Sequence, residues 1–84
     1  MSAWANRKST RDFVEARLAT IGCSLGNPEN LRLLIPKTTE EAVAVYCDHI
    51  WGLQGEYIYK FSNGWSPLRF YREGNVVSIS AYHG

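Results

Sequence analysis

The sequence has no long apolar run, and no segment offers the roughly 18 apolar residues that a membrane-spanning helix requires. Its first residues, MSAWANRKSTRD, lack the apolar stretch of a signal peptide. Two cysteines are too few for a disulfide framework, so we interpret Cys23 and Cys47 as buried free thiols. The alternative is a disulfide between them, which requires the two predicted helices to be adjacent. These absences predict a cytoplasmic protein with no membrane partner.

The chain also lacks an excess of charge of either sign. It carries 9 Lys and Arg against 8 Asp and Glu, a formal net charge of +1. Dedicated nucleic-acid coat proteins are strongly basic, which disfavours that class. Hydrophobic residues make up 45% of the 84 residues, too many for disorder. We expect residues 1–84 to form a single small globular domain, with residues 1–8 as a flexible polar arm.

Catalytic and metal-binding motifs are missing as well. Cys47-Asp48-His49 is the run that most invites a catalytic interpretation, but Cys47 lies on the apolar side of a predicted helix and His49 points elsewhere. A metal site would need widely spaced side chains to converge: Cys23, Cys47, His49 and His83. We predict no enzymatic activity, no metal and no cofactor. A small enzyme that uses Cys47 or His83 is the second alternative.

A first helix is predicted from apolar residues at spacings of four, three and four, which form one helical face. These residues are Val14, Leu18, Ile21 and Leu25. We place the N-cap at Ser9 or Thr10 and the C-cap at Gly22.

A second helix is predicted from the Thr-x-x-Glu capping box of Thr38 and Glu41, and Gly52 should end it. Its apolar face is Val43, Tyr46, Cys47 and Ile50. The short apolar run LRLLI, residues 31–35, lies between the two helices and is predicted to be a strand.

Asn63-Gly64 is a strong signal for a two-residue type I′ hairpin turn. Such a turn places Tyr59 opposite Leu68. Glu73-Gly74 predicts a second two-residue turn. The two turns, placed independently, give one common apolar face, and this agreement supports the register. That face holds Tyr57, Tyr59, Phe61, Leu68, Phe70, Val77, Ile79 and Ala81.

The predicted fold is therefore α+β. We expect a two-layer sandwich in the order α-β-α-β-β-β, with a C-terminal antiparallel three-strand meander and two helices packed on one sheet face. The LRLLI segment would add a fourth strand, and the other face of the sheet would meet water.

The water-facing side carries our candidate binding residues: Lys60, Trp65, Arg69, Tyr71 and Tyr82. In the predicted register Tyr82 lies opposite Trp65. Aromatic side chains and Arg dominate the energetics of protein interfaces, and they also stack on nucleic-acid bases. The competing interpretation is that these aromatics only stabilise the sheet or lie under the first helix. The N-terminal arm is a secondary binding candidate through Arg7, Lys8 and Arg11.

A helix starting at Thr38-Thr-Glu-Glu-Ala42 precedes the strand meander in a very small single domain. In this architecture the chain resembles small phage-encoded anti-defence proteins, including anti-CRISPR inhibitors. The resemblance implies an inhibitor and assigns no site residues. We predict a non-catalytic protein-binding module that docks on a larger protein or nucleoprotein complex. The first alternative is a nucleic-acid-binding protein that uses the aromatic and basic sheet face, and a homodimer through the meander edge is also open.

Overall fold

The computed structural model describes the backbone of residues 3–82 and the side chains of residues 9–82. Over this range the elements follow in the order α1 (Ala3–Ala19), β1 (Ser24–Leu25), a 3₁₀ helix (Pro28–Leu33), α2 (Pro36–Val45), a π-helical turn (Tyr46–Ile50), β2 (Gly55–Tyr59), β3 (Leu68–Glu73) and β4 (Val76–Ala81). The described strands form one sheet in the order β1-β4-β3-β2, in which β1 is parallel to β4 and the other pairs are antiparallel. The predicted α+β class, with its C-terminal meander, is confirmed.

The core lies between the helices and one face of the sheet. Val14 and Leu18 of α1 are fully buried, as are Phe70 and Ile79 of the sheet. The ring of Tyr46 stacks on that of Phe70, with centroids 4.4 Å apart. Burial of one such large apolar side chain stabilises the fold by about 2–3 kcal/mol. No helix within residues 3–82 is long and apolar enough to cross a membrane.

The C-terminal end of α1 confirms the predicted cap. Gly22 has a φ of 74° and donates its N–H to the Ala19 carbonyl at 3.1 Å. The N–H of Cys23 donates to the Leu18 carbonyl at 2.9 Å. This pair of bonds is the Schellman motif, in which glycine takes the left-handed position without a steric cost.

The N-terminal end of α1 differs from the prediction. The helix begins at Ala3, so Ser9 and Thr10 lie inside it and the predicted caps are wrong. Thr10 is 1% exposed, and its hydroxyl donates to the Glu40 carboxylate of α2 at 3.1 Å. The hydroxyl therefore joins two helices instead of capping one.

The strand predicted at residues 31–35 is also wrong, because Pro28–Leu33 is a 3₁₀ helix. Leu31 and Leu34 are buried three residues apart, and Leu33 between them is 77% exposed. A spacing of three is the period of a 3₁₀ helix and not the alternation of a strand.

The strand that completes the sheet is β1, directly after the cap of α1. Leu25, predicted to lie on the helical face, pairs instead with Val77. The next N–H, of Gly26, donates to the Val77 carbonyl at 2.8 Å. The amide side chain of Asn27 then continues the ladder: its Oδ1 accepts from the Ile79 N–H at 3.0 Å, and its Nδ2 donates to the Ile79 carbonyl at 2.9 Å.

The second helix begins before the predicted capping box. Its N-cap is Ile35 and its first residue is Pro36, a position at which the missing proline N–H costs nothing. The hydroxyls of Thr38 and Thr39 both donate to the Ile35 carbonyl at 2.9 Å. Thr38 is therefore inside the helix, and the box with Glu41 is wrong.

The helix continues from α2 into the π-helical turn and stops before Gly52, as predicted. Arg17 of α1 donates to the Ala44 carbonyl at 3.3 Å and to the Asp48 carboxylate at 2.9 Å. The guanidinium thus ties α1 to the point where the winding changes from α to π. The predicted apolar face contacts the core through Val43, Tyr46, Cys47 and Ile50.

The register of β2 and β3 is confirmed, whereas their turn is not. Tyr59 pairs with Leu68, and the ladder stops there, so residues 60–67 form a loop. A type I′ turn requires a positive φ at both central residues. Among the described residues only glycines have a positive φ, so Asn63 does not meet that requirement.

The turn between β3 and β4 is one residue later than predicted. Gly74 and Asn75 form it rather than Glu73 and Gly74, and Gly74 has a φ of 64°. Glycine at the first central position is the pattern of a type II′ turn. Phe70 consequently pairs with Ile79. Because the pairing shifts by two residues, the predicted apolar face is kept.

Candidate functional site

The open face of the sheet carries an internally neutralised polar cluster. The Arg69 guanidinium lies 5.2 Å from the centroid of the Tyr71 ring and forms an ion pair with Glu56. Tyr71 is 37% exposed, and Lys60 is exposed just beyond the end of β2. The Arg69–Glu56 ion pair joins β3 to β2 and so stabilises the sheet, whereas Arg69 and Tyr71 lie on the same strand. The Arg69 charge is balanced within the chain, which weakens this face as an anion site.

The structure does not place Tyr82 opposite Trp65, as the predicted register did. The N–H of Tyr82 donates to the Pro67 carbonyl at 3.0 Å, so Tyr82 is opposite Pro67 and the predicted pairing with Trp65 is wrong. The cause is the β3–β4 turn, which lies one residue later than predicted and therefore shifts the pairing of β4 with β3 by two residues.

Trp65 turns toward the helical layer. Its ring meets the Phe61 ring edge-on at 5.7 Å, and Phe61 is 8% exposed and part of the core. The N–H of Trp65 donates to the Asn63 side-chain oxygen at 3.1 Å, which folds the loop back. Since residues 60–67 leave the ladder, strand alternation no longer fixes the direction of Trp65. The structure therefore does not bring it together with Arg69.

Trp65 lines an open cleft of about 430 Å³ together with Leu33 and Ile35. Leu33 is 77% exposed, Ile35 64% and Trp65 40%. Large apolar side chains gathered at one exposed site distinguish interaction surfaces from ordinary solvent-facing surface. We call this site the Trp65 cleft. The sequence prediction missed Leu33 and Ile35 because it placed them in a strand, whereas Leu33 ends a 3₁₀ helix and Ile35 is the N-cap of α2.

Cations flank the Trp65 cleft along the chain. Arg32 precedes Leu33, and Lys37 precedes Thr38, which also lines the cleft. Both cations are exposed, and neither forms an ion pair within residues 9–82. A partner surface that carries carboxylates would complement the charges of these two cations.

A second exposed apolar surface follows the π-helical turn. Trp51 is 59% exposed and Leu53 40%. The Trp51 carbonyl accepts a hydrogen bond from Arg72, which fixes the backbone at this point. The sequence prediction did not single out Trp51, because it lies one residue beyond the apolar stripe that ends at Ile50.

Cys47 is poorly suited to nucleophilic chemistry. It is 5% exposed, and burial raises the pKa of its thiol to about 11, a shift that the nearby Arg17 partly opposes. A thiol with this pKa stays protonated at neutral pH and is a weak nucleophile. His49 is exposed while Cys47 is buried, and Asp48 is engaged by Arg17. Cys23 is the other buried free thiol, as predicted.

The remaining predicted sites are not brought together. Across residues 9–82 no three His, Cys, Asp or Glu side chains are placed to hold a metal ion. Arg11 is exposed and forms an i,i+4 ion pair with Glu15 at 3.6 Å, which is ordinary for a solvated helix face. The side chains of Arg7 and Lys8, and the whole of His83, lie outside the described residues.

The architecture is thus a small α+β sandwich with an exposed apolar cleft at one end and a neutralised polar sheet face. No protein-family model matches this chain, and neither curated protein sequences nor solved structures give a significant match. The functional argument therefore stands on the geometry of these surfaces.

Proposed function

We propose that this chain is a non-catalytic protein-binding module that docks on a larger protein or nucleoprotein complex through the Trp65 cleft. The observation that supports the proposal is the exposure of Leu33, Ile35 and Trp65 around one cleft. Each Å² of apolar surface that a partner removes from water contributes about 25 cal/mol to the binding free energy. Trp is also strongly enriched among the residues that dominate binding energy at interfaces.

The partner surface that fits this cleft has an apolar side chain flanked by acidic residues. The apolar side chain would contact Trp65 and Leu33, and the carboxylates would face Arg32 and Lys37. Rim charges of this kind raise the association rate more than the affinity. A role as an inhibitor or accessory protein, in the manner of the anti-CRISPR proteins that the chain resembles in architecture, belongs to this proposal.

A cytoplasmic location is also part of the proposal. Cys23 and Cys47 are both buried and free in the described structure. Free thiols persist in reducing compartments, whereas secreted domains of this size commonly use cysteine in disulfides.

A nucleic-acid-binding protein is the alternative, supported by exposed Tyr71 beside Arg69 on the open face. The carboxylate of Glu56 beside Arg69 lowers the attraction of that face for phosphate. Binding through this face would fall steeply with salt concentration and would depend on Tyr71. Anisotropy of labelled single-stranded and duplex oligonucleotides at low and high salt separates this alternative from the proposal.

The decisive comparison uses two exposed tryptophans at different surfaces. We expect Trp65→Ala to weaken partner binding by about 2 kcal/mol, roughly 30-fold, because it removes the anchor of the cleft. Trp51→Ala removes an equally large ring elsewhere and should leave binding unchanged. Partners captured from a lysate of the source cells by wild-type protein are compared between the two variants, and the dissociation constant is then measured by calorimetry.

Circular dichroism confirms that both variants are folded. A partner that Trp65→Ala retains at full affinity, or that Trp51→Ala loses instead, contradicts the proposal. Salt-sensitive oligonucleotide binding that disappears in Tyr71→Ala would favour the alternative.

A further inference from the structure

We propose that the outer edge of β2 is a self-association surface, on which two copies of this chain form a two-fold symmetric dimer. The β2 strands would run antiparallel, with Ile58 on the axis opposite Ile58 of the second copy. This surface is separate from the Trp65 cleft, so the inference does not depend on the proposed function.

The outer edge of β2 is open in the described structure. In the sheet formed by residues 24–81, β2 has β3 as its one strand partner. An edge strand presents N–H and C=O groups that another strand can pair with. Proteins commonly block such an edge with a proline or an inward-pointing charge. GEYIY, the sequence of β2, contains neither device, since Tyr57 and Tyr59 are the residues that face the helical layer.

The open face of β2 is complementary to itself in charge. Glu56 and Ile58 lie on this face, and the exposed Lys60, the first residue after the strand, joins it when the pairing extends β2 by one residue. An antiparallel pairing centred on Ile58 puts Glu56 of each copy opposite Lys60 of the other. Such self-complementarity is what a two-fold interface requires, and opposite charges directly across a sheet stabilise the pairing.

The aromatic face of β2 supports the same register. Tyr57 falls opposite Tyr59 of the second copy, which gives two cross-strand aromatic pairs. Both rings are held by the core, since Tyr57 lies 6.3 Å from the Tyr46 ring and Tyr59 meets Phe61 edge-on at 4.7 Å. Little side-chain freedom therefore remains to be lost on pairing.

Other registers lose these matches. An axis at Tyr57 places Glu56 opposite Ile58, and an axis at Tyr59 places Lys60 opposite Ile58. Each shift breaks both ion pairs and puts a charge against an apolar side chain. A two-fold axis that passes between two residues of β2 would place side chains of opposite sheet faces directly across from each other, which an antiparallel pairing does not allow.

The first test is sedimentation equilibrium of the full chain from micromolar to millimolar concentration. The weight-average mass should rise from the 9.5 kDa of one chain toward twice that value. Lys60→Glu alone and Glu56→Lys alone should each weaken self-association about tenfold, because like charges then meet at both ends. An equimolar mixture of the two variants should restore it, because a mixed pair again has opposite charges at both ends.

The mixture separates pairing from other effects of the substitutions. Glu56→Lys also breaks the ion pair with Arg69, and that loss persists in the mixture, so recovery there reports the contact between copies. Lys60→Glu leaves the Arg69 pair in place.

A second pair of variants tests the position of the axis. Ile58→Lys places two ammonium groups against each other on the axis and should give a monomer. Val76→Lys is the matched control, because Val76 is a β-branched apolar residue on the same open face but on β4, away from the edge. Thermal denaturation verifies that both fold. A wild-type chain that stays at the mass of one copy, or a dimer that Lys60→Glu and Ile58→Lys leave intact, overturns the proposal.

Discussion

The two outer edges of the sheet differ in how their backbone groups are satisfied. Along β4, the parallel β1 pairs first, the N–H of Gly26 follows, and the Asn27 amide then bonds both backbone groups of Ile79. Along β2, no described strand lies outside the edge. One edge is thus closed by a short strand extended with a side-chain amide, and the other is left available. The Asn27 amide thus closes the part of the β4 edge that lies beyond the two-residue strand β1.

The largest expected effect comes from opening the closed edge with Asn27→Ala. Ile79 is fully buried, so its N–H and carbonyl would lose their partners away from water. We expect the free energy of unfolding to fall by about 3 kcal/mol, since each unsatisfied buried group costs about 1–3 kcal/mol. Urea denaturation measures the change, and the exchange rate of the Ile79 amide should rise at the same time.

Asn30→Ala is the control for this substitution. Asn30 is a half-buried asparagine in the 3₁₀ helix that Asn27 precedes, and its side chain makes no hydrogen bond within the described residues. It should change the free energy of unfolding by less than about 0.5 kcal/mol, as surface substitutions do. An equal loss in Asn27→Ala and Asn30→Ala would mean that the Asn27 amide does not close this edge.

A smaller effect is expected at Gly26, directly after β1, where the backbone passes close to side chains of β4. A Cβ at Gly26 would lie 2.7 Å from Val76 Cγ1 and 3.0 Å from Ser78 Oγ. Gly26→Ala should therefore cost about 1–2 kcal/mol, because the strands must separate or the two side chains must rotate. Gly52→Ala, which meets nothing within 4 Å, is the control and should be nearly neutral in urea denaturation. Identical midpoints for the two variants would show that the closed edge tolerates a wider spacing.

The sequence predicted those parts of this comparison that depend on local pattern. Centring the β2–β3 connection on Asn63-Gly64 gave the correct register at Tyr59. The second turn moved by one residue, which shifts the pairing by two and keeps the apolar face. The closed edge could not be predicted, because Asn27 acts through Ile79, 52 residues away. The Trp65 cleft was also missed. Trp65 lies in a loop, where strand alternation does not determine the direction of a side chain, and Leu33 lies in a helix too short to show a clear hydrophobic period.

The smallest expected effect tests whether the Asn27 hydrogen bonds stabilise the fold because the Ile79 backbone groups that they satisfy are buried. Gln54, just before the open-edge strand β2, makes the same two-sided amide contact: its Oε1 accepts from the Gly74 N–H at 3.0 Å, and its Nε2 donates to the Gly74 carbonyl at 3.2 Å. These atoms are exposed, and Arg72 also donates to the Gly74 carbonyl at 2.8 Å. Water replaces the amide in Gln54→Ala, so we expect a loss of about 0.5 kcal/mol in urea denaturation. A loss as large as that of Asn27→Ala would show that the amide geometry, and not burial, separates the two edges.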